Sequence, residues 1–252
     1  MRFDPPLQEA RLERRYKRFL ADVVLPDGER LTVHCPNTGS MLGCADWGMR
    51  VWLSRASNPA RKYAWTWELV EAMPGVLVGI HTGRSNALVR EGIRTGLMEE
   101  LHGYSAFQGE VMAGNGFRVD FLLQGHADQP DCYLEVKNVT AAVQGGIALF
   151  PDAVSERASR HLRELMVKVR AGHRAALCFC VQRDDVTEVR PADGIDPVYG
   201  STLRDAVAHG VEVMAYAASM SPEAVLLYRP VPVRMPGSPS LKNPGPDFSE
   251  FD

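Results

Sequence analysis

Two carboxylates and an amine lie at a suggestive spacing near the middle of the chain. Arg118-Val119-Asp120-Phe121 is followed, past a gap rich in turn-forming residues, by Glu135-Val136-Lys137. The apolar runs Val119 to Leu123 and Tyr133 to Lys137 are β-branched and aromatic and are bounded by turn residues. Both therefore read as strands, the first entered through an Asn115-Gly116 turn. Side chains alternate along a strand, so Glu135 and Lys137 share one face while Leu134 and Val136 take the other. If the two strands pair, Asp120 comes beside Glu135, and a hard divalent cation would relieve the repulsion between the two acids. Lys137 beside such a cation would suit hydrolysis of a phosphodiester. The simpler alternative is a solvated strand face carrying an exposed ion pair.

An Asp followed on the next strand by Glu-x-Lys resembles the core of the PD-(D/E)xK nuclease superfamily, and Glu110 sits where many members carry a carboxylate on or at the end of the first helix. A denser resemblance, reaching to about Met235, is to the sugar fermentation stimulation protein (SfsA) family. The segments that carry it are Arg15-Tyr16-Lys17-Arg18-Phe19, Cys35-Pro36-Asn37-Thr38-Gly39-Ser40-Met41, Lys62-Tyr63, Thr66-Trp67-Glu68-Leu69, Gly103-Tyr104, Glu110-Val111, Arg118-Val119-Asp120-Phe121, Glu135-Val136-Lys137, and Phe150-Pro151-Asp152-Ala153 with Arg157 and His161-Leu162. The resemblance implies DNA binding and an N-terminal OB-like barrel joined to a restriction-endonuclease-like domain. It also implies that Asp120 and Glu135 bind Mg²⁺ or Mn²⁺ with help from the Val136 carbonyl. Lys137 would then position or activate the attacking water, with Glu110 assisting. The chain departs from its relatives at Phe117, often Ser, and at His81, often Asn.

The 252 residues carry a net charge of −3, which by itself speaks against a nucleic-acid partner. The charge is unevenly spread. Through Lys62 there are eleven basic and seven acidic residues, a balance of +4 that leaves −7 for the remainder. A positive N-terminal part beside an acidic one suits a division between gripping DNA and binding metal, although ordinary surface charge would look the same. No stretch is long and apolar enough to span a membrane, and Asp4, Pro5, Pro6 and Glu9 do not form a secretory signal, so a cytoplasmic location is expected. The five cysteines contain no C-x-x-C pair, which argues against a disulfide framework or a zinc ribbon. Cys178 and Cys180 read as core residues, and His34, Cys35 and Cys44 lack regular zinc-ligand spacing.

Short strands are expected at Arg18 to Leu25, Leu31 to Cys35, Met49 to Ser54, Tyr63 to Val70 and Val76 to Ile80, the pattern of a small barrel. Cations and aromatics interleave in Arg14-Arg15-Tyr16-Lys17-Arg18-Phe19 and could hold phosphates and stack on bases. Asn37, Thr38 and Ser40, in a loop, could hold a phosphate or simply close a barrel turn. From Ser85 to Leu101 the apolar spacing becomes helical. A second helix is expected after Asp152, which would cap it, with Val154, Ala158, Leu162, Leu165 and Val169 as its buried stripe and Gly172 as its end. Arg157 and His161 lie one turn apart at the border of that stripe, where they are expected to face a neighbouring site and contact DNA, or else to serve only structure. A strand at Ala175 to Val181, a helix at Leu203 to His209 and a strand at Val211 to Tyr216 complete an α/β domain with a mixed central sheet.

The expected organisation is an OB-like domain over 1–82, a nuclease-like domain over 83–234 and a disordered Pro/Gly/Ser-rich tail over 235–252. The expected partner is DNA, double- or single-stranded, read with little sequence specificity and without a membrane; a homodimer is left open. The rival to a metal-dependent nuclease is a non-catalytic DNA-binding regulator, linked to sugar metabolism, that retains the nuclease fold.

Overall fold

The computed structural model describes residues 1–114, 116–143 and 145–236. Asn115 of the expected turn and the tail beyond Pro236 lie outside the described residues.

The N-terminal strands are β1 (Gln8–Tyr16), β2 (Leu20–Val24), β3 (Arg30–His34), β4 (Arg50–Arg55), β5 (Trp65–Met73) and β6 (Val76–Gly79). They hydrogen-bond in the order β3-β2-β1-β4-β5-β6, and a parallel contact between His34 and Thr66 joins β3 to β5. That contact closes five strands into an OB barrel filled by Leu12, Val23, Val33, Val51, Leu53 and Trp67. Closure removes the free edges that an open sheet would expose.

The chain then enters α1 (Arg84–Arg94). The apolar stripe runs on to Leu101, yet the helix stops at Gly96, whose φ of +75° suits glycine. Leu97 N–H reaches the Gly92 carbonyl and Gly96 N–H the Ile93 carbonyl, the paired bonds of a Schellman ending. Strands β7 (Ala106–Met112), β8 (Arg118–Gln124) and β9 (Cys132–Val139) follow. A small sheet holds β10 (Ala142–Val143), β11 (Ile147–Phe150) and β13 (Glu188–Pro191). The remaining elements are α2 (Glu156–Arg170), β12 (Arg174–Val181), α3 (Pro197–Ala208), β14 (Glu212–Met220) and β15 (Val225–Pro230). The large sheet runs β15-β14-β12-β9-β8-β7, with β9, β12 and β14 parallel and the outer pairs antiparallel. This is the expected mixed sheet. Apolar side chains pack on both faces, α1 covering one and α2 with α3 the other.

Asp152 does not cap α2. Ser155 does, accepting from Ala158 N–H at 3.2 Å, and Val154 is 72% exposed instead of buried. Asp196 accepts from Tyr199 N–H at the start of α3 and from Ser155 N–H, so one buried carboxylate fixes both helix entries. Ala158, Leu162 and Leu165 are buried as expected, and Gly172, at φ +86°, ends the helix.

Barrel and sheet share an apolar seam in which Trp52 and Leu69 pack with Leu88, Met214 and Met220. The first residues cross this seam. Phe3 and Leu7 donate their N–H groups to the carbonyls of Glu223 and Pro222, and the Met1 ammonium pairs with Glu91 at 2.7 Å.

Candidate functional site

The β8–β9 ladder pairs Leu123 with Cys132 and Phe121 with Leu134, and then ends. Beyond that point Val136 N–H finds its partner in the Asp120 carboxylate, at 2.7 Å. The opening therefore falls beside both acids. Asn86, on α1, donates to the other Asp120 oxygen at 2.8 Å. Sequence periodicity could not single out Asn86, because its significance comes only from the packing of α1 on β8.

Glu135 is 3% exposed. Its Oε1 accepts from Lys137 Nζ at 2.7 Å and from His161 Nδ1, while Oε2 is buried without a partner among the described residues. Arg157 Nε donates to His161 Nε2 at 3.3 Å, so a neutral ring carrying its proton on Nδ1 satisfies both neighbours. Phe117 packs edge-on against the same ring, with centroids 5.2 Å apart. The border position of His161 on α2 thus places it on Glu135, and Arg157, His161, Glu135 and Lys137 form one connected chain.

The two acids are tuned in opposite directions. Burial raises the Asp120 pKa above its ordinary value, and the neighbouring Glu135 charge pushes the same way. Burial also pushes Glu135 upward, but hydrogen bonds from His161 and Lys137, with the Lys137 charge, outweigh it and hold the carboxyl below its usual range.

Glu110 departs from expectation. It lies on strand β7 and not on a helix, at φ +55°, and its one hydrogen-bond partner among the described residues is Arg118, at 3.4 Å. That side chain is 70% exposed, and the residue lies across the β7–β8 pairing from Asp120, between the Gly109–Phe121 and Val111–Val119 partners. Among the described residues no group of three or more His, Cys, Asp and Glu side chains is arranged to hold a metal. The donors nevertheless suit a hard cation: half-buried Asp120 and buried Glu135, the latter with an orphaned oxygen, whose mutual repulsion a positive ion would remove. Mg²⁺ characteristically takes one or two carboxylates and completes its shell with water.

On the barrel, Lys17 and Arg18 form the tip of the β1–β2 hairpin, both at positive φ (50° and 63°) and both exposed, followed by Phe19 at 46% exposure. Such a turn normally favours Asn or Gly, so placing two cations there costs about 1 kcal/mol or more each. Arg14 lies over the Tyr16 ring at 5.0 Å and pairs with Asp22. Arg15 is committed elsewhere: its Nη2 donates to the carbonyls of Arg18, Asn37 and Gly39 at 2.8–2.9 Å, clamping the hairpin to the loop. Asn37 is buried and accepts from Gly39 N–H, whereas Thr38 is exposed. Ser40 donates to Asp152 at 2.8 Å, tying the loop to the second domain.

The β4–β5 connection carries a second set of cations. Arg55 lies over Trp65 at 5.9 Å, Lys62 over Tyr63 at 5.6 Å, and Arg61 donates to Thr66. The β1–β2 and β4–β5 loops are those with which OB barrels grip oligonucleotides. Sequence reasoning missed the second because its cations and aromatics are dispersed; their interleaving was the available signal.

Cys178 and Cys180 are fully buried in β12, and burial pushes the Cys180 thiol up to about 12. No helix among the described residues is long and apolar enough to cross a membrane.

Comparison with known proteins bears on both domains. The model of the SfsA N-terminal OB domain matches residues 14–80, and that of the sugar fermentation stimulation protein RE domain matches residues 83–224. A sugar fermentation stimulation protein homolog of Alkalilimnicola ehrlichii is 58% identical over 238 residues, covering 94% of this chain and 100% of that one. One from Thioalkalivibrio sulfidiphilus is 59% identical over 230 residues, covering 91% and 96%. Among solved structures, a Pyrococcus furiosus SfsA in complex with Ca²⁺ superposes with a TM-score of 0.83 at 24% identity, covering 93% of this chain and 98% of that one. With an OB barrel and an RE domain matched in order along nearly its whole length, the chain belongs to the SfsA family.

Proposed function

We propose that this protein binds DNA through its barrel and hydrolyses phosphodiesters at the Asp120–Glu135–Lys137 site with Mg²⁺ or Mn²⁺. The observation that carries the reading is the ending of the β8–β9 ladder beside two carboxylates, half-buried Asp120 and buried Glu135, the latter with an oxygen that no described residue satisfies. The Ca²⁺ held by the Pyrococcus furiosus relative adds support for a hard cation.

Asp120 and Glu135 would hold the ion, helped by the Val136 carbonyl. A bound divalent cation supplies Lewis acidity and neutralises charge at the phosphate. Asn86 and the Val136 N–H keep Asp120 in place, and His161, braced by Arg157, does the same for Glu135. Lys137 is the ammonium beside the acid pair. It would stabilise charge at the reacting phosphate and orient the attacking water. Lys17 and Arg18, with the cations of the β4–β5 loop, would grip phosphates along the strand, and the flanking aromatics would stack on bases.

One observation favours the non-catalytic rival. Lys137 is paired with Glu135 at 2.7 Å, so its ammonium is already engaged by one of the acids. Metal binding tests the site itself. Mn²⁺ at a hundredfold excess over its Kd should stabilise the wild type by about 2.7 kcal/mol. It should leave Asp120→Asn and Glu135→Gln unmoved, and an equal shift in all three proteins would remove the site from consideration.

A further inference from the structure

A cavity of about 230 Å³ opens between the barrel loop and the second domain, at the C-terminal end of β9 and just past Lys137. Crevices at the C-terminal ends of parallel strands are recurrent ligand sites. Leu149 and Phe150 contribute apolar wall, while Asp152, Asn138, Thr140 and Thr38 bring polar groups.

Several of those groups are unspent. The Asn138 carbonyl oxygen accepts from Ser85 and from Gln182 Nε2, but its amide N–H₂ donates to no described residue. One Asp152 oxygen accepts from Ser40 and Met41 N–H, and the other has no partner among the described residues. The hydroxyls of Thr140 and Thr38 are likewise without described partners, although Thr140 is only 5% exposed. The lining thus offers a carboxylate acceptor, an amide donor and two hydroxyls, and it contains no lysine or arginine. A phosphate is unsuited to such a lining. A flat heterocycle that donates and accepts along one edge, and places an apolar face on a wall, suits it well.

We propose that this cavity receives one nucleobase turned out of the bound strand, recognised along its hydrogen-bonding edge by Asp152, Asn138 and Thr140. The inference rests on the nucleic-acid reading above. Bases are read in this way when a protein takes them out of the stack. Arg15 and Asp152 hold the barrel side of the cavity in shape, because Arg15 fixes the Asn37 and Gly39 carbonyls and Asp152 anchors Ser40. The cavity adjoins the strand that carries Glu135 and Lys137, so a base seated there would anchor the backbone near the acid pair.

The test uses the full-length protein in EDTA and two single-stranded oligonucleotides of equal length and charge, one normal and one abasic at every position. Anisotropy should show wild type binding the normal strand at least about tenfold more tightly than the abasic one, the sum of the cavity contact and of stacking on the barrel aromatics. Thr140→Val removes a hydroxyl at nearly constant shape, and Asp152→Asn exchanges an acceptor for a donor. Each should reduce that preference at least threefold while leaving abasic affinity unchanged and the protein folded. If Thr140→Val and Asp152→Asn, both folded, keep the full preference, the base is read elsewhere and the cavity assignment falls. Equal binding of both strands by wild type would also overturn it, together with base stacking on the barrel aromatics, while sparing the phosphate grip. Failure of wild type to bind either strand would remove both.

Discussion

Asp120 and Glu135 are neighbours of the same chemistry, yet their carboxamide variants are expected to shift stability in opposite directions. Glu135 is 3% exposed and takes hydrogen bonds from Lys137 and His161 on one oxygen. Bonds to a charged group contribute about 1.5–3 kcal/mol each, and stranding one member of a buried pair costs about 3–5 kcal/mol. Glutamine keeps a weaker acceptor for Lys137, so Glu135→Gln should lose about 2–4 kcal/mol. At about 2–4 °C per kcal/mol for a chain of this size, Tm falls by about 5–15 °C. Asp120→Asn differs because asparagine can accept from Val136 N–H and, after Asn86 flips its amide, donate to it, while the repulsion from Glu135 disappears. Its Tm should hold or rise.

The pH dependence follows from the same two environments. The Glu135 contribution is fully present above the ordinary value of 4.5 and is lost as pH falls through its depressed folded value. The Asp120 penalty is present above its raised folded value and fades as pH falls from there to the ordinary 3.8. Urea unfolding of the three proteins in EDTA, at neutral and at acidic pH, measures both effects. An Asp120→Asn protein as destabilised at neutral pH as Glu135→Gln would refute the reasoning.

The barrel and the interdomain loop yield further expectations. Replacing Lys17 and Arg18 with alanine should weaken DNA binding and reduce the salt slope by about 0.9 for each duplex phosphate no longer neutralised, or about 0.7 on single strands, with Tm little changed because alanine keeps the Cβ at both positive-φ positions; salt-titrated anisotropy checks this. Arg15→Ala should instead lower Tm by several degrees, because it frees three carbonyls at once; an unchanged melt would show that the clamp is dispensable. Gly39→Ala would place a methyl 2.6 Å from the Asp152 carboxylate and so loosen the loop from the second domain. Its protease sensitivity within the Cys35–Met41 segment should rise, and wild-type resistance would contradict that.

The strands bearing the acids were legible because β-branched and aromatic runs bounded by turns have few alternatives, and alternation alone put Glu135 and Lys137 on one face. Other features depend on information a local window lacks. Asn86 is an ordinary polar residue until α1 packs across β8. The strand under Glu110 was not legible, because Ala106–Met112 is largely exposed and so has little apolar alternation to mark it. The α1 boundary was overextended because the apolar stripe persists past Gly96, where backbone conformation, not burial, ends the helix. Asp152 precedes α2 and resembles a cap, but its carboxylate meets the barrel loop, a long-range contact that outcompetes the local one.

The central claim is that Lys137 and the acid pair cut phosphodiesters, and cleavage by purified protein tests it most directly. Wild type should convert plasmid or single-stranded DNA to shorter products with Mg²⁺ or Mn²⁺ and not in EDTA. Lys137→Met, which keeps the aliphatic stem and removes the charge, should slow cutting by about a hundredfold or more while barely changing DNA affinity. Wild-type protein that binds DNA but leaves every substrate intact with both metals would contradict the account, as would cutting that persists undiminished in Lys137→Met and Glu135→Gln.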